Sequence, residues 1–332
     1  MAAKPENHED HLVEVLQETR SIDGDDCSLK VYRNIKTGEL VTKAEPIHSS
    51  TDHWLIIGDC TSILPEIPSD SIDLILTSPP YYNVSKYYAD LFPTLDHWKS
   101  LMENVASESM RLLQEGHIIA INISDPIIKG LKYPLTSIVT SIFMDVGLKY
   151  RDSIVWRKPN ATVRASKRNF GWPAQPFPNR LFLNSVHENI LLFQKGTYDI
   201  SSIPPKTLEM SQISPWEARC NFWHLDVWDL DIPYPKPESE RKIATFPDEL
   251  AYRIIKLYSH IGGIVLDPLS GTGTVCKVSR TLYRSSISCE LRREYVNIIR
   301  NKCGFNSNGF KYGTPQDTFT VIDRSQRKRR RK

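Results

Sequence analysis

Short apolar runs alternate along most of the chain with longer stretches in which apolar residues recur every three or four positions. The runs are typical of buried strands in parallel sheets, and the longer stretches indicate amphipathic helices. The predicted strands are 54–57, 71–76, 117–123, 151–156, 187–193, 264–266 and 286–289. The predicted helices are 95–113, 135–146, 246–260, 275–282 and 292–301. This order predicts an α/β fold with a mostly parallel central sheet and helices on both faces.

The segment 77–81, Thr-Ser-Pro-Pro-Tyr, follows the predicted strand 71–76. Because proline cannot donate to a sheet ladder, the strand ends there in a rigid turn, at the edge where open α/β sheets bind ligands. Ser78 and the Pro79 carbonyl are candidate acceptors for the hydrogens of a nucleobase amino group, and Tyr81 or Tyr82 can stack on the base. Alone, so short a motif more often marks an ordinary surface turn.

A second signal lies between the predicted strand 264–266 and the helix after it, in the sequence Asp267-Pro268-Leu269-Ser270-Gly271-Thr272-Gly273-Thr274. A glycine turn between a strand and a helix lets a ligand approach the backbone, although this one lacks the full dinucleotide fingerprint. Glu290 ends the next strand, where an acid can hold both ribose hydroxyls. Asp59 follows the first core strand, either as a ligand carboxylate or as a helix N-cap.

Composition narrows the class of protein. The 332 residues have a net charge of +3, and 324–332 contain seven basic residues and no acid, as in a phosphate-seeking or simply solvated tail. No apolar run reaches the roughly 18 residues that span a membrane, and the first ten residues lack a signal core, so we expect a soluble, cytoplasmic protein.

The six cysteines are scattered without a Cys-x-x-Cys pair, so neither a structural zinc site nor a disulfide framework is expected. We therefore expect no metal. The chain also lacks the Pro-Cys doublet expected for covalent attack on a pyrimidine ring.

Two regions depart from the alternation of predicted strands and helices. Basic residues, aromatic residues and prolines mix in 157–180, which favours a loop that contacts phosphates and stacks on bases over an incidental surface loop. The candidate DNA-binding residues there are Arg157, Lys158, Arg164, Lys167, Arg168 and Trp172. Residues 197–240, rich in Trp and Pro, are either a target-recognition insert or a packing subdomain.

Together, Ser-Pro-Pro-Tyr near the amino end and the glycine loop with Glu290 near the carboxyl end resemble the β-class amino-methyltransferases of DNA. In that class the catalytic motif precedes the cofactor motif, as it does here. The resemblance runs from about residue 54 to residue 302, and it implies a Rossmann-like fold that uses S-adenosyl-L-methionine.

The resemblance also implies residue roles. Those that would hold the target base, flipped out of double-stranded DNA, are Ser78, Pro79, Pro80 and Tyr81. Those that would hold the cofactor are Asp59, Phe246, Asp267, Pro268, Ser270, Gly271, Gly273, Thr274 and Glu290.

The expected domain organisation follows. It comprises an amino-terminal extension (1–50), a catalytic half (51–196), a candidate target-recognition insert (197–240), a cofactor-binding half (241–305) and a basic tail (306–332). We expect a monomer or weak dimer.

Ser at position 78 resembles the members that methylate cytosine N4, whereas members with Asp there usually methylate adenine N6. Cytosine N4 methylation, paired with a restriction endonuclease, is therefore the expected function, and adenine N6 is the alternative. A methyltransferase of RNA or of protein glutamine, or a non-catalytic DNA-binding module, stays open as a further reading.

Overall fold

The computed structural model describes residues 12–22, 25–34 and 40–46 by their backbone, and 50–82, 91–128, 131–159, 185–232, 245–305 and 317–325. The strands are β1 (Leu12–Ile22), β2 (Asp25–Asn34), β3 (Leu40–Pro46), β4 (Asp52–Ile57), β5 (Ile72–Thr77), β6 (Leu113–Ile123), β7 (Ile127–Ile128), β8 (Leu131–Lys132), β9 (Lys149–Arg157), β10 (His187–Gln194), β11 (Val227–Asp229), β12 (Ile264–Asp267), β13 (Ser285–Glu290) and β14 (Thr318–Asp323). The α-helices are α1 (Cys60–Ile63), α2 (Leu95–Leu112), α3 (Leu135–Asp145), α4 (Pro205–Met210), α5 (Pro215–Cys220), α6 (Asp248–Tyr258), α7 (Thr274–Thr281) and α8 (Val296–Lys302). No helix within these ranges is long and apolar enough to cross a membrane.

The main sheet has nine strands in the order β11-β9-β10-β6-β5-β12-β13-β4-β14. β10 pairs antiparallel with both of its neighbours, and the other neighbouring pairs are parallel. The predicted mostly parallel sheet is therefore confirmed. Because β10 runs the opposite way, its amino end lies at the edge where its neighbours have their carboxyl ends.

Helices cover both faces of this sheet, as the sequence predicts. Along β6, Ile119, Ile121 and Ile123 pack into one apolar cluster with side chains of α2 and α3. The alternate residues Ile118 and Ala120 pack on the opposite face with side chains of α6 and α7. Because successive side chains of a strand point to opposite faces, β6 contributes to two apolar cores. The parallel strands are thus buried on both sides.

The chain divides into two units. One comprises the antiparallel sheet β1-β2-β3 and the segment Ile200–His224, with α4 and α5; the other contains the main sheet. Of the insert predicted at 197–240, Ile200–His224 belongs to the first unit. Val227–Asp229 pairs with β9 in the main sheet because Trp228, only 1% exposed, packs into its core. Residues 233–240 lie outside the described part of the chain.

The prediction that 306–332 form only a basic tail is wrong for one segment. Thr318–Asp323 forms β14, which pairs in parallel with β4 at an edge of the main sheet. Phe319 and Val321 pack against a buried cluster that includes Leu55 and Ile57. The alternation of these apolar residues with threonines is the strand signal, and the basic residues that follow obscured it. Most of the basic run, 326–332, lies outside the described residues.

A buried ion pair ties β14 to the rest of the sheet. Nε of Arg280, on α7, lies 2.9 Å from Asp317 Oδ2, and their side chains are 1% and 0% exposed. Asp317 Oδ1 also accepts hydrogen bonds from the backbone N–H and the hydroxyl of Thr51, each at 2.9 Å. Arg280 donates to the Cys303 carbonyl at 2.7 Å. Breaking such a pair from one side leaves a buried charge without its partner.

We predict that Asp317→Asn lowers the free energy of unfolding by about 3–5 kcal/mol, because the buried guanidinium loses its counter-charge. Urea denaturation of the purified protein measures this. The matched control is Glu66→Gln, which removes the half-exposed partner of Arg324 and should change stability by about 1 kcal/mol or less. Equal small losses for both variants would contradict the role of Asp317.

Candidate active site

The two motifs of the sequence meet at the centre of the main sheet. β5 and β12 are parallel neighbours, with Leu74 opposite Val265 and Ile75 opposite Leu266. At their carboxyl ends the Thr77 hydroxyl donates to Asp267 Oδ1 at 2.8 Å, and both residues are buried. The Ser-Pro-Pro-Tyr turn and the glycine loop therefore begin from one hydrogen-bonded pair.

A cleft opens where these two segments diverge, with about 310 Å³ of space that includes its opening to solvent. Its lining combines the Ser-Pro-Pro-Tyr turn, the glycine loop and the residues before α6. The lining residues are Ser78, Thr245, Phe246, Asp267, Leu269, Ser270, Gly271, Thr272 and Thr274. The structure thus brings residues from three separate parts of the chain to one cavity. The predicted site residues among them are Ser78, Phe246, Asp267, Ser270, Gly271 and Thr274.

The glycine loop depends on left-handed backbone at two positions. Gly271 and Gly273 have φ of +53° and +78°, which side chains other than glycine adopt only with strain. A Cβ at Gly271 would meet no atom within 4 Å, whereas one at Gly273 would lie 2.8 Å from Ile299 Cγ2 on α8. Gly271 thus leaves open space beside the backbone, and Gly273 allows a helix to pack closely on the loop.

Polar groups of the loop are buried with few partners. Asp267 accepts from the Leu269 N–H at 3.1 Å, and the Ser270 hydroxyl, in a residue 7% exposed, has no hydrogen-bond partner among the described residues. Glu290, 8% exposed, accepts from the Arg292 N–H at 2.9 Å. A buried hydroxyl in the loop without a partner among the described residues, and a carboxylate at the end of the neighbouring strand β13, suit a ligand that brings hydroxyl and amino groups.

Burial shifts both carboxyls toward their neutral forms. Burial is the main cause that raises the pKa of Asp267 to about 7, against the hydrogen bonds from Thr77 and Leu269, which lower it. Burial likewise raises the pKa of Glu290 to about 7, against the backbone hydrogen bonds from Arg292 and Gly271. Two buried acids poised near neutral pH at the ends of the neighbouring strands β12 and β13 are typical of a functional site.

The Ser-Pro-Pro-Tyr turn is held in place by hydrogen bonds from side chains of several elements. The Trp98 indole N–H donates to the Pro80 carbonyl at 2.7 Å, and the Tyr81 hydroxyl donates to Glu188 Oε2 at 2.8 Å. Asn122 Nδ2 lies 2.7 Å from the same carboxylate oxygen and 3.4 Å from Ser78 Oγ. The turn predicted from Pro-Pro alone is thus also fixed by side chains from α2, β6 and β10.

Other predicted site residues lie nearby. Asp59 caps α1, because its carboxylate accepts from the Thr61 N–H at 3.0 Å and the Thr61 hydroxyl at 2.8 Å. The N–H of Gly58 donates to the Glu290 carbonyl at 2.8 Å, so Asp59 stands beside the end of β13. Pro268 is buried directly after β12.

The predicted DNA-binding residues separate into two groups. Arg157 forms an exposed ion pair with Asp229, and Lys158 forms a mostly buried one with Glu188. Arg164, Lys167, Arg168 and Trp172 lie outside the described residues. Within the described ranges no group of three or more His, Cys, Asp or Glu side chains could hold a metal ion.

Sequence reasoning did not assign Asn122 or Glu188 to the site. Asn122 is the second-last residue of β6, and its position near the carboxyl end of a predicted strand was a usable signal. Glu188 is the second residue of β10 and lies near its amino end. It reaches this edge because β10 is antiparallel, and a strand pattern does not state its direction.

Comparison with known proteins places the chain in a family. Residues 72–301 match the family model described as DNA methylase, over more than half of the chain and including both motifs. The chain belongs to the DNA methylase family.

Two relatives of this methylase illustrate the likeness, and one of them is named for its target base. It is 30% identical to the Type II methyltransferase M.MjaI of Methanocaldococcus jannaschii, over 78% of this chain and 93% of that protein. It is 27% identical to the DNA adenine methyltransferase YhdJ of Escherichia coli, over 77% of this chain and 85% of that protein.

Solved structures resemble the methylase closely in fold. A protein of Thermus thermophilus, described as a DNA modification methylase and complexed with S-adenosyl-L-methionine, is 25% identical with a TM-score of 0.62, covering 82% of this chain and 98% of its own. The cytosine-N4-specific PvuII DNA methyltransferase is 18% identical with a TM-score of 0.56, covering 79% and 89%, a likeness of fold alone. The predicted Rossmann-like methyltransferase fold is confirmed.

We predict different costs for alanine at the two glycines of the loop. Each left-handed position costs about 1–2 kcal/mol of folding free energy for a residue with a Cβ. Gly273→Ala adds a clash with Ile299 worth about 1–3 kcal/mol, and Gly271→Ala does not. Urea denaturation should therefore rank Gly273→Ala below Gly271→Ala, and the reverse ranking would contradict the packing described here.

We also predict that the ligand-free protein loses stability as pH rises from about 4 to about 7. The pKa values of Asp267 and Glu290, about 7 in the folded protein, exceed their unfolded values, so the folded state holds more protons across this window. Unfolding free energy must then fall with rising pH. Urea midpoints between pH 5 and 8 measure the fall.

In the same experiment Glu290→Gln should flatten the pH dependence, because it removes one of the two titrating groups. The control Glu103→Gln changes an exposed acid of α2 and should leave the slope unchanged. A wild-type curve that rises between pH 5 and 7 would sink the prediction.

Proposed function

We propose that this methylase transfers a methyl group from S-adenosyl-L-methionine to the exocyclic N4 amino group of cytosine in double-stranded DNA. The observation that carries the proposal is the shared cleft. Ser78 of the catalytic turn lines the same cavity as Ser270 and Gly271 of the glycine loop. A base amino group held by the first and a methyl donor held by the second would lie within one site.

The cleft, together with Glu290 at the end of the neighbouring strand β13, fits S-adenosyl-L-methionine. Glu290 offers a carboxylate at the position where an acid can bind both ribose hydroxyls, and the hydroxyl of Ser270 is buried without a partner among the described residues. Gly271 leaves space beside the backbone, and Phe246 adds an aromatic wall. We assign Asp59, Asp267, Pro268, Gly273 and Thr274 to the same cofactor site. When bound, the cofactor supplies a methyl group activated by a positive sulfonium.

The catalytic turn supplies acceptors for the target amino group. The lone pair of that nitrogen is delocalised into the ring, so the enzyme must accept its hydrogens and direct the lone pair. Ser78 Oγ and the Pro79 carbonyl are the proposed acceptors, and the Tyr81 ring stacks on the flipped base. The Pro80 carbonyl is already engaged by Trp98, which keeps the turn in place. Preorganisation of this kind lowers the entropic barrier to transfer.

Two supports favour cytosine over adenine. Ser78 is a neutral acceptor, as in the cytosine-N4 members that the motif resembles, and the PvuII enzyme of the same fold is named for cytosine N4. YhdJ, named for adenine, keeps adenine N6 as the alternative. Since relatives are named Type II methyltransferases, we further propose that the modification protects DNA from a cognate restriction endonuclease. The proposed DNA contacts are Arg157, Arg164, Lys167, Arg168 and Trp172.

Methylation of mixed-sequence, unmethylated DNA with labelled S-adenosyl-L-methionine tests the proposal. Nucleoside mass spectrometry should find 4-methylcytosine. A 6-methyladenine peak would retain the activity and overturn the base, whereas labelled RNA or labelled protein glutamine without labelled DNA would overturn the substrate.

We predict that Ser78→Ala lowers kcat about 100-fold with little change in cofactor affinity, because one preorganised contact to the reacting amino group is lost. Single-turnover methyl transfer and equilibrium cofactor binding measure the two quantities. The control is Ser71→Ala, which alters a hydroxyl bonded to the Pro68 carbonyl away from the cleft and should keep wild-type kcat. Wild-type turnover by Ser78→Ala would favour a role for this chain other than the proposed one.

A further inference from the structure

The carboxylate of Glu188 gathers three hydrogen-bond donors beside the catalytic turn. Its Oε2 accepts from the Tyr81 hydroxyl at 2.8 Å and from Asn122 Nδ2 at 2.7 Å. Its Oε1 pairs with the ammonium of Lys158. The side chains of Glu188 and Lys158 are 14% and 16% exposed, so this cluster is largely withdrawn from solvent.

The fold places these groups together through the direction of β10. Glu188 lies opposite Trp156 on β9, and the next residue, Asn189, lies opposite Ile123 on β6. The Lys158 N–H donates to the Val186 carbonyl at 2.8 Å, which holds the lysine next to the start of β10. Backbone pairing of β10 on two sides therefore fixes the position of the Glu188 backbone. The side chains of Tyr81, Asn122 and Lys158 then meet its carboxylate.

The three donors require a charged acceptor. An ionised carboxylate has about four acceptor sites and no hydrogen of its own, whereas a carboxamide has one oxygen and would direct an N–H at the donors. Burial, followed by the charge of Glu188, raises the pKa of Tyr81 well above its usual 10. The phenol therefore keeps its proton at neutral pH and donates permanently to Glu188.

The hydrogen bond from Asn122 to Glu188 leaves the other end of the Asn122 amide in an unfavourable environment. The residue is 2% exposed, and its Oδ1 is buried without a hydrogen-bond partner among the described residues. Its Nδ2 faces Glu188 and also lies 3.4 Å from Ser78 Oγ and 3.5 Å from the Tyr81 hydroxyl oxygen. A buried acceptor without a partner is unfavourable, so the carboxylate selects the amide orientation that turns an N–H toward Ser78.

We propose that Glu188 is a positioning residue for methyl transfer, acting through Tyr81 and Asn122 on the turn that carries Ser78. Lys158 supports it by balancing its charge in the partly buried cluster and does not contact a DNA phosphate. The inference rests on the proposed function, because the turn is taken as the site that holds the target base. Glu188 and Lys158 would thus support the turn from outside the Ser-Pro-Pro-Tyr motif.

Three variants test the inference. Glu188→Gln should lower kcat about 10- to 100-fold, the scale expected when a reacting group is slightly misplaced. KM for the cofactor should stay within about twofold, since Glu188 does not line the cleft. The double variant Lys158→Met with Glu188→Gln removes the unpaired ammonium as well, so its folding is retained. Its kcat should stay low, because Tyr81 and Asn122 still lack an ionised acceptor.

Lys158→Met alone separates support of Glu188 from DNA contact. Loss of a phosphate contact would reduce the slope of log K against log salt concentration by about 0.9, whereas our inference expects an unchanged slope and a lowered kcat. The control Glu103→Gln, on the exposed face of α2, should change none of these quantities. A double variant with wild-type kcat, or a Lys158→Met protein with wild-type kcat and a reduced salt slope, would overturn the inference.

A spectroscopic readout is independent of the substrate. Tyrosine labelled with ¹³C at Cζ reports the hydrogen bond of each phenol, and Tyr81→Phe identifies the resonance of Tyr81. That resonance should shift in Glu188→Gln and stay in place in Glu103→Gln. If wild-type protein labels no nucleoside of DNA, the proposed function fails, and the shift still decides whether Glu188 holds the turn. An unmoved Tyr81 resonance would overturn the positioning role whatever the substrate.

Discussion

The hydrogen bond between the Thr77 hydroxyl and Asp267 is the interaction on which the site depends. It joins two strands whose residues are 190 positions apart in sequence, at the point where each strand gives way to a functional loop. Because both partners are buried, neither loop can move relative to the other without exposing or breaking this pair. The distance between the Ser-Pro-Pro-Tyr turn and the glycine loop is therefore set by the sheet itself.

The site contains polar side chains that are buried, although burying polar groups costs free energy. Asp267 and Glu290 are shifted toward neutrality by their surroundings, and the Ser270 hydroxyl stays without a partner among the described residues. The apolar clusters on both faces of the sheet stabilise the fold and offset the free-energy cost of burying these polar groups. This division between a stabilising scaffold and a destabilising site is common in enzymes.

Features that depend on neighbouring residues could be predicted from the sequence. The strand before Ser78, the end of that strand at Pro79 and Pro80, and the loop around Gly271 each follow from local chemistry. The cluster at Glu188 could not be predicted, because it depends on β10 running antiparallel and on pairing with two distant strands. β14 was missed because its alternation is brief and its position depends on pairing with β4.

The location of β14 also matters while the chain is being made. β4 pairs with β13 on one side and β14 on the other, and Thr51 is joined to Asp317 across 266 positions of sequence. The strands that carry the Ser-Pro-Pro-Tyr turn and the glycine loop are therefore synthesised while one edge of β4 still lacks its partner. An open strand edge is a template for association between chains. Until β14 has been made and has paired, that edge of β4 is open to such association.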